Sequence, residues 1–227
     1  MKLDFSNKKI LVTGGARGIG LAISEIFGRL GGNVIALNSE DCDFENDDIK
    51  EFLKSSGDFN DIDILINNAG INEIDYFEEL DESDFDRVMK VNVKAPLILS
   101  KYVIKNMIKN NWGRIINISS VWGTKSIERR TAYTTSKYAL KGMTKTMAIE
   151  FAKKNILVNS VSPGFTNTEL TSKILSEEQK DSLIKKVPMG RMAEPNEIAN
   201  IVTFLCSDLN TYITGQDIVV DGGFLIS

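Results

Sequence analysis

Short apolar runs alternate with longer amphipathic stretches along most of the chain. The runs KKILVT, NVIALN, DILINN, RIINIS, LVNSVS and DIVVD have the length and β-branched content of strands. Helical periodicity between them predicts helices over residues 18–30, 47–55, 83–93, 96–109, 132–154, 169–186 and 196–207. Some strands, such as ILVT, are apolar at nearly every position, which indicates that both faces of the sheet are covered. The pattern predicts a single α/β domain over residues 1–227, with a doubly wound parallel sheet and helices on both faces.

Composition and charge exclude several classes of partner. The chain has 227 residues, a formal net charge of −4 and no basic run, so neither nucleic acid nor an anionic membrane is an expected partner. The apolar runs are far shorter than the roughly 20 residues that span a bilayer, and the N-terminus MKLDFSNKK has no signal-peptide pattern. The two cysteines, Cys42 and Cys206, do not suggest a disulfide framework. We therefore expect a cytoplasmic protein.

The absence of histidine from the sequence restricts the possible chemistry. It excludes Ser-His-Asp triads, histidine general bases and most zinc sites. The cysteines have no metal-ligand spacing, so no metal site is expected. Acid–base catalysis must then use Tyr, Lys, Asp, Glu or Cys side chains.

A glycine-rich segment, TGGARGIG, joins the first predicted strand to the first predicted helix. Gly14, Gly18 and Gly20 have the spacing G-x-x-x-G-x-G. Glycines at such a turn let backbone N–H groups approach a pyrophosphate and direct a helix N-terminus towards it. Strand–helix turns without a ligand can have the same pattern, but the strand before it and the helix after it favour dinucleotide binding.

The segment AYTTSKYAL is a candidate for acid–base chemistry. Tyr133 and Lys137 are four residues apart and share one face of the predicted helix. An ammonium beside a phenol favours the phenolate and lowers the pKa of the phenol, which brings it nearer the range of general acid–base catalysis. An ordinary surface contact between the two side chains would have the same spacing, so the pair alone does not identify an enzyme.

Together these segments resemble the short-chain dehydrogenase/reductase family. The matching motifs run in order from residue 8 to residue 223: TGGARGIG, NNAG, VNVKA, INISSVWG, YTTSK, SPGF and YITGQDIVVDGG. The resemblance implies a Rossmann-type fold and an NAD(P)-dependent oxidoreductase that reduces a ketone to a secondary alcohol. It is strongest to the members that reduce 3-oxoacyl thioesters. A reductase of keto-sugars or other polar ketones, and a non-catalytic dinucleotide-binding protein, are the alternatives.

The resemblance also implies a role for each matched residue. Tyr133 would protonate the ketone oxygen, and Ser120 would hold that oxygen. Lys137 would bind the nicotinamide ribose, and Asn92 would anchor a water that connects Lys137 to solvent. The residues expected to bind the cofactor come mainly from loops that follow strands: Gly14, Arg17, Gly18, Ile19, Gly20, Asn38, Asp43, Phe44, Asn68, Ala69, Gly70, Tyr133, Lys137, Pro163, Gly164, Thr166 and Thr168.

The end of the second strand governs the choice between NAD(H) and NADP(H). An acidic residue there binds the ribose 2′-hydroxyl, whereas nearby basic residues accept a 2′-phosphate. This chain has neutral Asn38 at that position and Arg17 in the glycine loop, which predicts NADP(H). Only SEDC separates Asn38 from Asp43, where family members have a helix and the start of another strand. We therefore expect one helix fewer and an open adenosine pocket, in which Asp41 or Asp43 could instead reach the ribose and favour NAD(H).

Three segments bear on the substrate. Residues 169–187 match an element that closes over the substrate in family members, although an ordinary surface helix pair would have the same pattern. Arg129 and Arg130 could bind a phosphate or carboxylate on the substrate. Neighbouring residues on an extended loop point different ways, so a structural or subunit contact is expected for at least one of them. The family docks its acyl carrier protein on two basic positions. These correspond to Asn111 and Lys154, so only one of the two is basic here.

Apolar residues on two predicted helices suggest self-association. Family members assemble through the helices that correspond to 96–109 and 132–154, so a homodimer or homotetramer is expected. Inward packing is the alternative for each residue taken singly. The residues concerned are Leu97, Ile98, Tyr102, Ile104, Met143, Met147 and Phe151.

Overall fold

A parallel sheet of six strands organises the protein, whose computed structural model describes residues 3–57, 59–169, 171 and 176–227. The strands are β1 (Lys9–Thr13), β2 (Asn33–Leu37), β3 (Ile64–Asn67), β4 (Gly113–Ile118), β5 (Ile156–Pro163) and β6 (Asp217–Val220). Their spatial order is β2-β1-β3-β4-β5-β6, and every neighbouring pair is parallel. All six predicted strands are confirmed, each to within one residue at either end.

Two hydrophobic cores lie on opposite faces of this sheet. The register aligns Leu11, Leu65, Ile115 and Val158 in one row across four strands, and all four belong to the same core. Their neighbours along the strands, such as Ile10, enter the second core because successive side chains of a strand alternate between faces. Burial on both sides explains why these strands are apolar at nearly every position.

Helices cover both faces of the sheet, as predicted. They are α1 (Gly18–Arg29), α2 (Ile49–Ser55), α3 (Glu82–Met89), α4 (Ala95–Asn110), α5 (Thr131–Phe151), α6 (Glu177–Ile184) and α7 (Pro195–Cys206). Helices α1 and α7 pack together on one core, whereas α2, α4 and α5 contribute to the other. Among the described helices, none has both the length and the apolar character that a membrane crossing requires.

Two of the predicted helices differ from the structure in more than their end residues. The predicted helix 83–93 is α3 followed by a π-helical turn, Lys90–Lys94, which leads directly into α4. The prediction of one helix over 169–186 is wrong, because Ser176 has an extended backbone and caps a new helix, α6. Ser176 Oγ accepts a hydrogen bond from Gln179 N, and Gln179 Oε1 accepts one from Ser176 N. Residues 170 and 172–175 of that prediction lie outside the described residues.

The connection between β2 and α2 is as short as the sequence indicates. Asp41 N and Cys42 N both donate to Asn38 O at 3.0 Å, and Asp47 N donates to Asp43 O at 2.7 Å, so the segment is a series of tight turns. In the usual Rossmann order a further strand lies outside the second one. Here β2 is the edge of the sheet, and the expected loss of one helix is confirmed across residues 38–48.

Candidate active site

The candidate site lies at the carboxyl ends of the strands, where the chain changes direction across the sheet. The chain passes from β1 outward to β2 and then returns to β3 on the other side of β1. Such a reversal opens a crevice at the ends of β1 and β3, which is where ligands bind in sheets of this type. The glycine loop, residues 68–70, Ser120 and residues 163–168 all follow strands that end at this crevice.

The glycine loop has the geometry of a pyrophosphate cradle. Gly14 and Gly18 have positive φ angles of 63° and 53°, which other residues rarely adopt. A Cβ atom on Gly20 would lie 2.1 Å from the Gly14 carbonyl oxygen, so the loop packs too closely for any side chain there. Helix α1 begins at Gly18 with no side-chain cap, which leaves the first N–H groups of the helix open to an anion. The loop therefore fits a dinucleotide, whose nicotinamide would supply or accept hydride.

A pair of side chains fixes the loops after β1 and β3 to each other. Thr13 Oγ1 accepts hydrogen bonds from the backbone N–H groups of Asn68 and Ala69, both at 3.0 Å. Asn68 Nδ2 donates to Thr13 O at 2.9 Å and to Gly14 O at 3.1 Å. Sequence reasoning missed Thr13, although a lone hydroxyl at the end of an apolar strand was a visible signal.

The loop after β5 closes the crevice from the other side. A Cβ atom on Gly18 would lie 3.3 Å from Thr168 Cγ2, so this loop approaches the glycine loop directly. Gly164 N donates to Val220 O at 2.9 Å, which anchors the loop to β6. The Thr166 hydroxyl donates to Gly164 O at 3.2 Å and shapes the loop itself. The predicted residues of the loops after β1, β3 and β5 are thus brought together.

Tyr133 and Lys137 share one face of α5, as their spacing predicts. Lys137 Nζ lies 5.3 Å from the centroid of the Tyr133 ring and donates to the carbonyl oxygen of Ile118 at 2.9 Å. Lys137 is 3% exposed. Its burial lowers the pKa of its ammonium to about 8, because removal from water disfavours the charged form.

The Tyr133 phenol is held in its protonated form in this structure. Burial raises the pKa of Tyr133 above its ordinary value of 10, and the Ser120 hydroxyl and the Arg130 guanidinium offset part of that rise. The prediction of a lowered phenol pKa is therefore wrong, and Lys137 is not among the groups that shift this pKa. Desolvation outweighs every favourable neighbour, and the ammonium of Lys137 is directed at Ile118 O.

Asn92 lies in the π-helical turn and connects three parts of the site. Its Oδ1 accepts from Ile71 N at 2.9 Å, and its Nδ2 donates to Ile71 O at 2.9 Å and to Ser136 Oγ at 3.0 Å. Ser136 Oγ in turn donates to Tyr133 O at 2.7 Å. A Cβ atom on Gly70 would lie 3.2 Å from Asn92 Oδ1, so a side chain there would crowd the Asn92 amide. Ser136 was missed by sequence reasoning, although it is a small polar residue directly before Lys137.

On the adenosine side, Asn38 braces the glycine loop. Its Oδ1 accepts from Ala16 N at 3.0 Å, and its own N–H donates to Asp41 Oδ2 at 2.9 Å. Arg17 and Asp41 are both exposed, so opposite charges flank the place predicted for the ribose. The side chains alone do not select one dinucleotide.

The turn predicted to contact adenine is well ordered by its own hydrogen bonds. The Asp43 carboxylate accepts from Glu45 N at 2.9 Å and from Asn46 Nδ2 at 2.7 Å, and these bonds lower the pKa of Asp43. The Phe44 ring is buried in the core. Phe44 therefore anchors the turn, and only its backbone could contact a base.

An aromatic cluster that the sequence did not predict stands beside the catalytic residues. Trp122, Phe165 and Phe224 pack edge to face, with ring centroids 5.0–6.1 Å apart. Trp122 follows Ser120 by two positions, and Phe165 follows Gly164 directly. Trp122 and Phe165 are half-buried, so we expect this cluster to form an apolar wall on the substrate side of the crevice.

The two positions predicted for carrier-protein docking lie far from the crevice within one chain. Asn111 precedes β4 and Lys154 precedes β5, and both are exposed. The strands are parallel, so these positions stand at the amino ends of the strands and the catalytic residues at the carboxyl ends.

The sequence and the fold both match known oxidoreductases. A family model described as Enoyl-(Acyl carrier protein) reductase matches residues 41–225. The chain is 38% identical over 242 residues to the 3-oxoacyl-[acyl-carrier-protein] reductase FabG of Rickettsia felis, with 99% of each chain covered.

Solved structures of oxidoreductases are also similar to this chain in fold. One is a putative NAD(P) dependent gluconate 5-dehydrogenase from Beutenbergia cavernae with bound NADP, at a TM-score of 0.87 and 30% identity over 99% of each chain. Another is a gluconate 5-dehydrogenase from Burkholderia cenocepacia in complex with NADP and tartrate, at a TM-score of 0.86 and 28% identity over 100% of this chain and 97% of that one. The chain is thus a member of the short-chain dehydrogenase/reductase family, a family of NAD(P)-dependent oxidoreductases.

Proposed function

We propose that the protein reduces the ketone of a 3-oxoacyl thioester to a secondary alcohol. The observation that carries this proposal is the assembly of Ser120, Tyr133 and Lys137 beside a glycine loop that fits a dinucleotide. The substrate class comes from the similarity over nearly the whole chain to a 3-oxoacyl-[acyl-carrier-protein] reductase. The apolar wall of Trp122 and Phe165 suits the carbon chain of such a substrate.

Each residue of this site has a role that its surroundings support. A reduced nicotinamide, when bound, supplies the hydride. Ser120 would hold the ketone oxygen, and Tyr133 would donate its proton to that oxygen. Burial keeps the phenol protonated at neutral pH, which is the form that a proton donor needs at the start of a reduction. Asn92 and Ser136 position the backbone of Tyr133.

NADP(H) is the cofactor that we propose, in preference to NAD(H). Arg17 is exposed at the start of α1, where it could meet a 2′-phosphate, and Asn38 presents no negative charge. Both gluconate dehydrogenases described above were solved with NADP. Asp41 opposes this preference, so we expect it to be modest.

Oxidation of a hydroxyl group on a sugar acid is the second candidate. It is favoured by the structural similarity to the gluconate 5-dehydrogenases. A non-catalytic dinucleotide-binding protein is disfavoured, because such a protein would have no need for a buried Lys137 beside Tyr133 and Ser120.

A direct assay tests these alternatives. Consumption of NADPH and NADH is followed with the N-acetylcysteamine thioester of acetoacetate, and formation of NADPH and NADH with gluconate. We expect thioester reduction to be fastest. Tyr133→Phe should lower kcat by about 10²- to 10⁴-fold while cofactor affinity stays within about threefold. Tyr212→Phe, at a tyrosine that is 97% exposed, is the control and should retain activity. Activity on gluconate alone would favour the second candidate, and near-normal turnover by Tyr133→Phe would remove Tyr133 from the mechanism.

We also propose that the protein forms a homo-oligomer through α4 and α5. Leu97, Tyr138 and Ile149 are 44%, 49% and 81% exposed on these helices. By contrast, five of the predicted interface residues pack against the core of their own chain. These are Ile98, Tyr102, Ile104, Met147 and Phe151. A second chain is also one way to bring Lys154 near an active site. Light scattering of the wild-type protein and of Ile149→Glu measures the oligomeric state, which we expect to fall in the variant.

A further inference from the structure

Two consecutive arginines at the start of α5 have opposite surroundings. Arg129 has a positive φ of 65°, and its side chain stacks on Tyr76 at 5.0 Å and donates to Ile74 O at 3.3 Å. The unusual backbone at Arg129 lets the next residue turn the other way. Arg130 is the N-cap residue of α5, and its guanidinium lies close enough to Tyr133 to favour the phenolate.

Within the part of the chain that the structure describes, the Arg130 guanidinium has no counter-charge. Its Nη1 atom is buried without a hydrogen-bond acceptor, and among the described residues no carboxylate forms an ion pair with it. Burial lowers the pKa of Arg130, because removal from water disfavours the charged form. Partial burial of an unpaired cation is unfavourable, and proteins usually compensate it with an anion. A guanidinium binds a carboxylate with two parallel hydrogen bonds, so a carboxylate is the anion that fits best.

The position of Arg130 relative to the reacting group limits where that carboxylate can be. Arg130 precedes Tyr133 by three residues, so both lie on one face at the first turn of α5. The Arg130 guanidinium favours the phenolate of Tyr133, as expected for two groups that lie close together. An anion bound by Arg130 must therefore stand next to the ketone whose oxygen Tyr133 protonates.

We propose that Arg130 determines specificity by binding a carboxylate close to the reacting ketone, so that the enzyme reduces short 3-oxo acids as well as uncharged 3-oxoacyl esters and thioesters. This inference rests on the proposed reduction at Tyr133. The ketone carbon gains hydride from the reduced nicotinamide, the ketone oxygen gains the phenol proton, and the dinucleotide is released oxidised. The carboxylate is unchanged, and Tyr133 regains its proton from solvent.

Acetoacetate and methyl acetoacetate form a matched pair of probes, because they differ in the charge beside the ketone and share the reacting group. For the wild-type protein we expect a higher kcat/KM for acetoacetate. Arg130→Gln should lower kcat/KM for acetoacetate by about 30-fold or more and that for the ester by no more than about threefold. Arg130→Lys keeps the charge but not the paired donors, so its kcat/KM for acetoacetate should lie between those of the wild type and Arg130→Gln. Arg129→Asn is the control, because asparagine tolerates a positive φ, and it should change kcat/KM by the same factor for both substrates.

The possible outcomes separate this inference from the proposed function. If the wild type reduces the ester and the N-acetylcysteamine thioester but not acetoacetate, the role of Arg130 is disproved and the reductase stands. An equal loss for both probes in Arg130→Gln also disproves it, because Arg130 would then act through Tyr133 and not on a carboxylate. If no ketone is reduced with either dinucleotide, both proposals are wrong.

Discussion

The carbonyl side of the crevice is held by more buried hydrogen bonds than the adenosine side. On the carbonyl side, Asn92, Ser136 and Lys137 are all buried, and their hydrogen bonds connect the β3 loop, the π-helical turn and β4 to α5. On the adenosine side, Asn38 is the main brace, and Arg17 and Asp41 are exposed. Proton transfer requires groups fixed to within a fraction of an ångström, whereas recognition of a ribose does not. The buried hydrogen bonds therefore lie on the carbonyl side, and the shortened connection between β2 and α2 lies on the adenosine side.

On the adenosine side, the edge strand β2 borders an open cavity. An open cavity of about 460 Å³ runs along β2, lined in part by Ile35, Leu37, Asp41 and Phe52. Beyond the outer edge of β2, family members with the usual strand order have a further strand. Substitutions should consequently be costly around the glycine loop and Tyr133, and inexpensive near Asp41.

The largest effect is expected where the two sides meet, at Gly20. In Gly20→Ala the new methyl group would lie 2.1 Å from the Gly14 carbonyl oxygen and 2.6 Å from Asn68 Nδ2. Backbone must move to relieve this contact, so the free energy of unfolding should fall by about 2 kcal/mol or more. NADPH affinity, measured by fluorescence titration, should fall by more than about tenfold.

A matched substitution on the same helix controls for helix propensity. A Cβ atom added at Gly28 would meet no other atom within 4 Å. Gly28→Ala should raise the free energy of unfolding by about 0.5–1 kcal/mol and leave NADPH binding unchanged. Similar denaturation midpoints for the two variants would contradict the view that the glycine loop is tightly packed.

The difference between the two sides also explains which features were predictable from sequence. The strands and most helices could be predicted from the sequence. Continuous apolar runs indicate strands that are covered on both faces, and helical periodicity indicates the helices between them. Tyr133 and Lys137 were singled out by their spacing, and Asn92 by the resemblance of VNVKA to the family's motif. A polar residue at a strand end, such as Thr13, is visible in the sequence, but its partner in a distant segment, Asn68, has no local signature.

The pKa of Tyr133, and which of Arg129 and Arg130 faces it, were also beyond sequence reasoning. Spacing alone places a charge near a phenol but says nothing of how much water surrounds either group. Desolvation dominates at Tyr133 and reverses the expected shift of its pKa. The direction of Arg130 depends on the positive φ of Arg129, which is unusual for a residue other than glycine.

A moderate effect is expected from neutralising the buried ammonium of Lys137. Its pKa is about 8 in the folded protein and 10.5 ordinarily, so the unfolded chain binds more protons between these values. The contribution of Lys137 to stability should therefore rise as the pH increases from 8 to 10.5, by at most about 3 kcal/mol, whereas the raised pKa values of the buried Cys42 and Cys206 act in the opposite direction above pH 9 in wild type and variant alike. Lys137→Met lacks this rise and should be more stable below pH 8, by less than that amount because Ile118 O loses its donor.

Urea denaturation between about pH 7 and pH 10.5 measures this difference. Lys145→Met, an exposed lysine on the same helix, should stay within about 0.5 kcal/mol of the wild type at every pH. Parallel pH dependences for wild type and Lys137→Met would show that the ammonium is not desolvated as the structure indicates.

The smallest effects are expected at the exposed charges of the adenosine side. An exposed charge pair contributes about 0.2–1 kcal/mol, which corresponds to roughly 1.5- to 5-fold in affinity. Arg17→Gln should therefore raise the KM for NADPH by no more than about fivefold, and Asp41→Asn should lower it by a similar factor, because each alters the field at the 2′-phosphate. The KM for NADH should hardly change in either variant. Arg29→Gln, at the far end of α1, serves as the control. A change of more than about 30-fold in the ratio of the two KM values would mean that the adenosine side closes around its cofactor, and the contrast between the two sides would then hold only for the free protein.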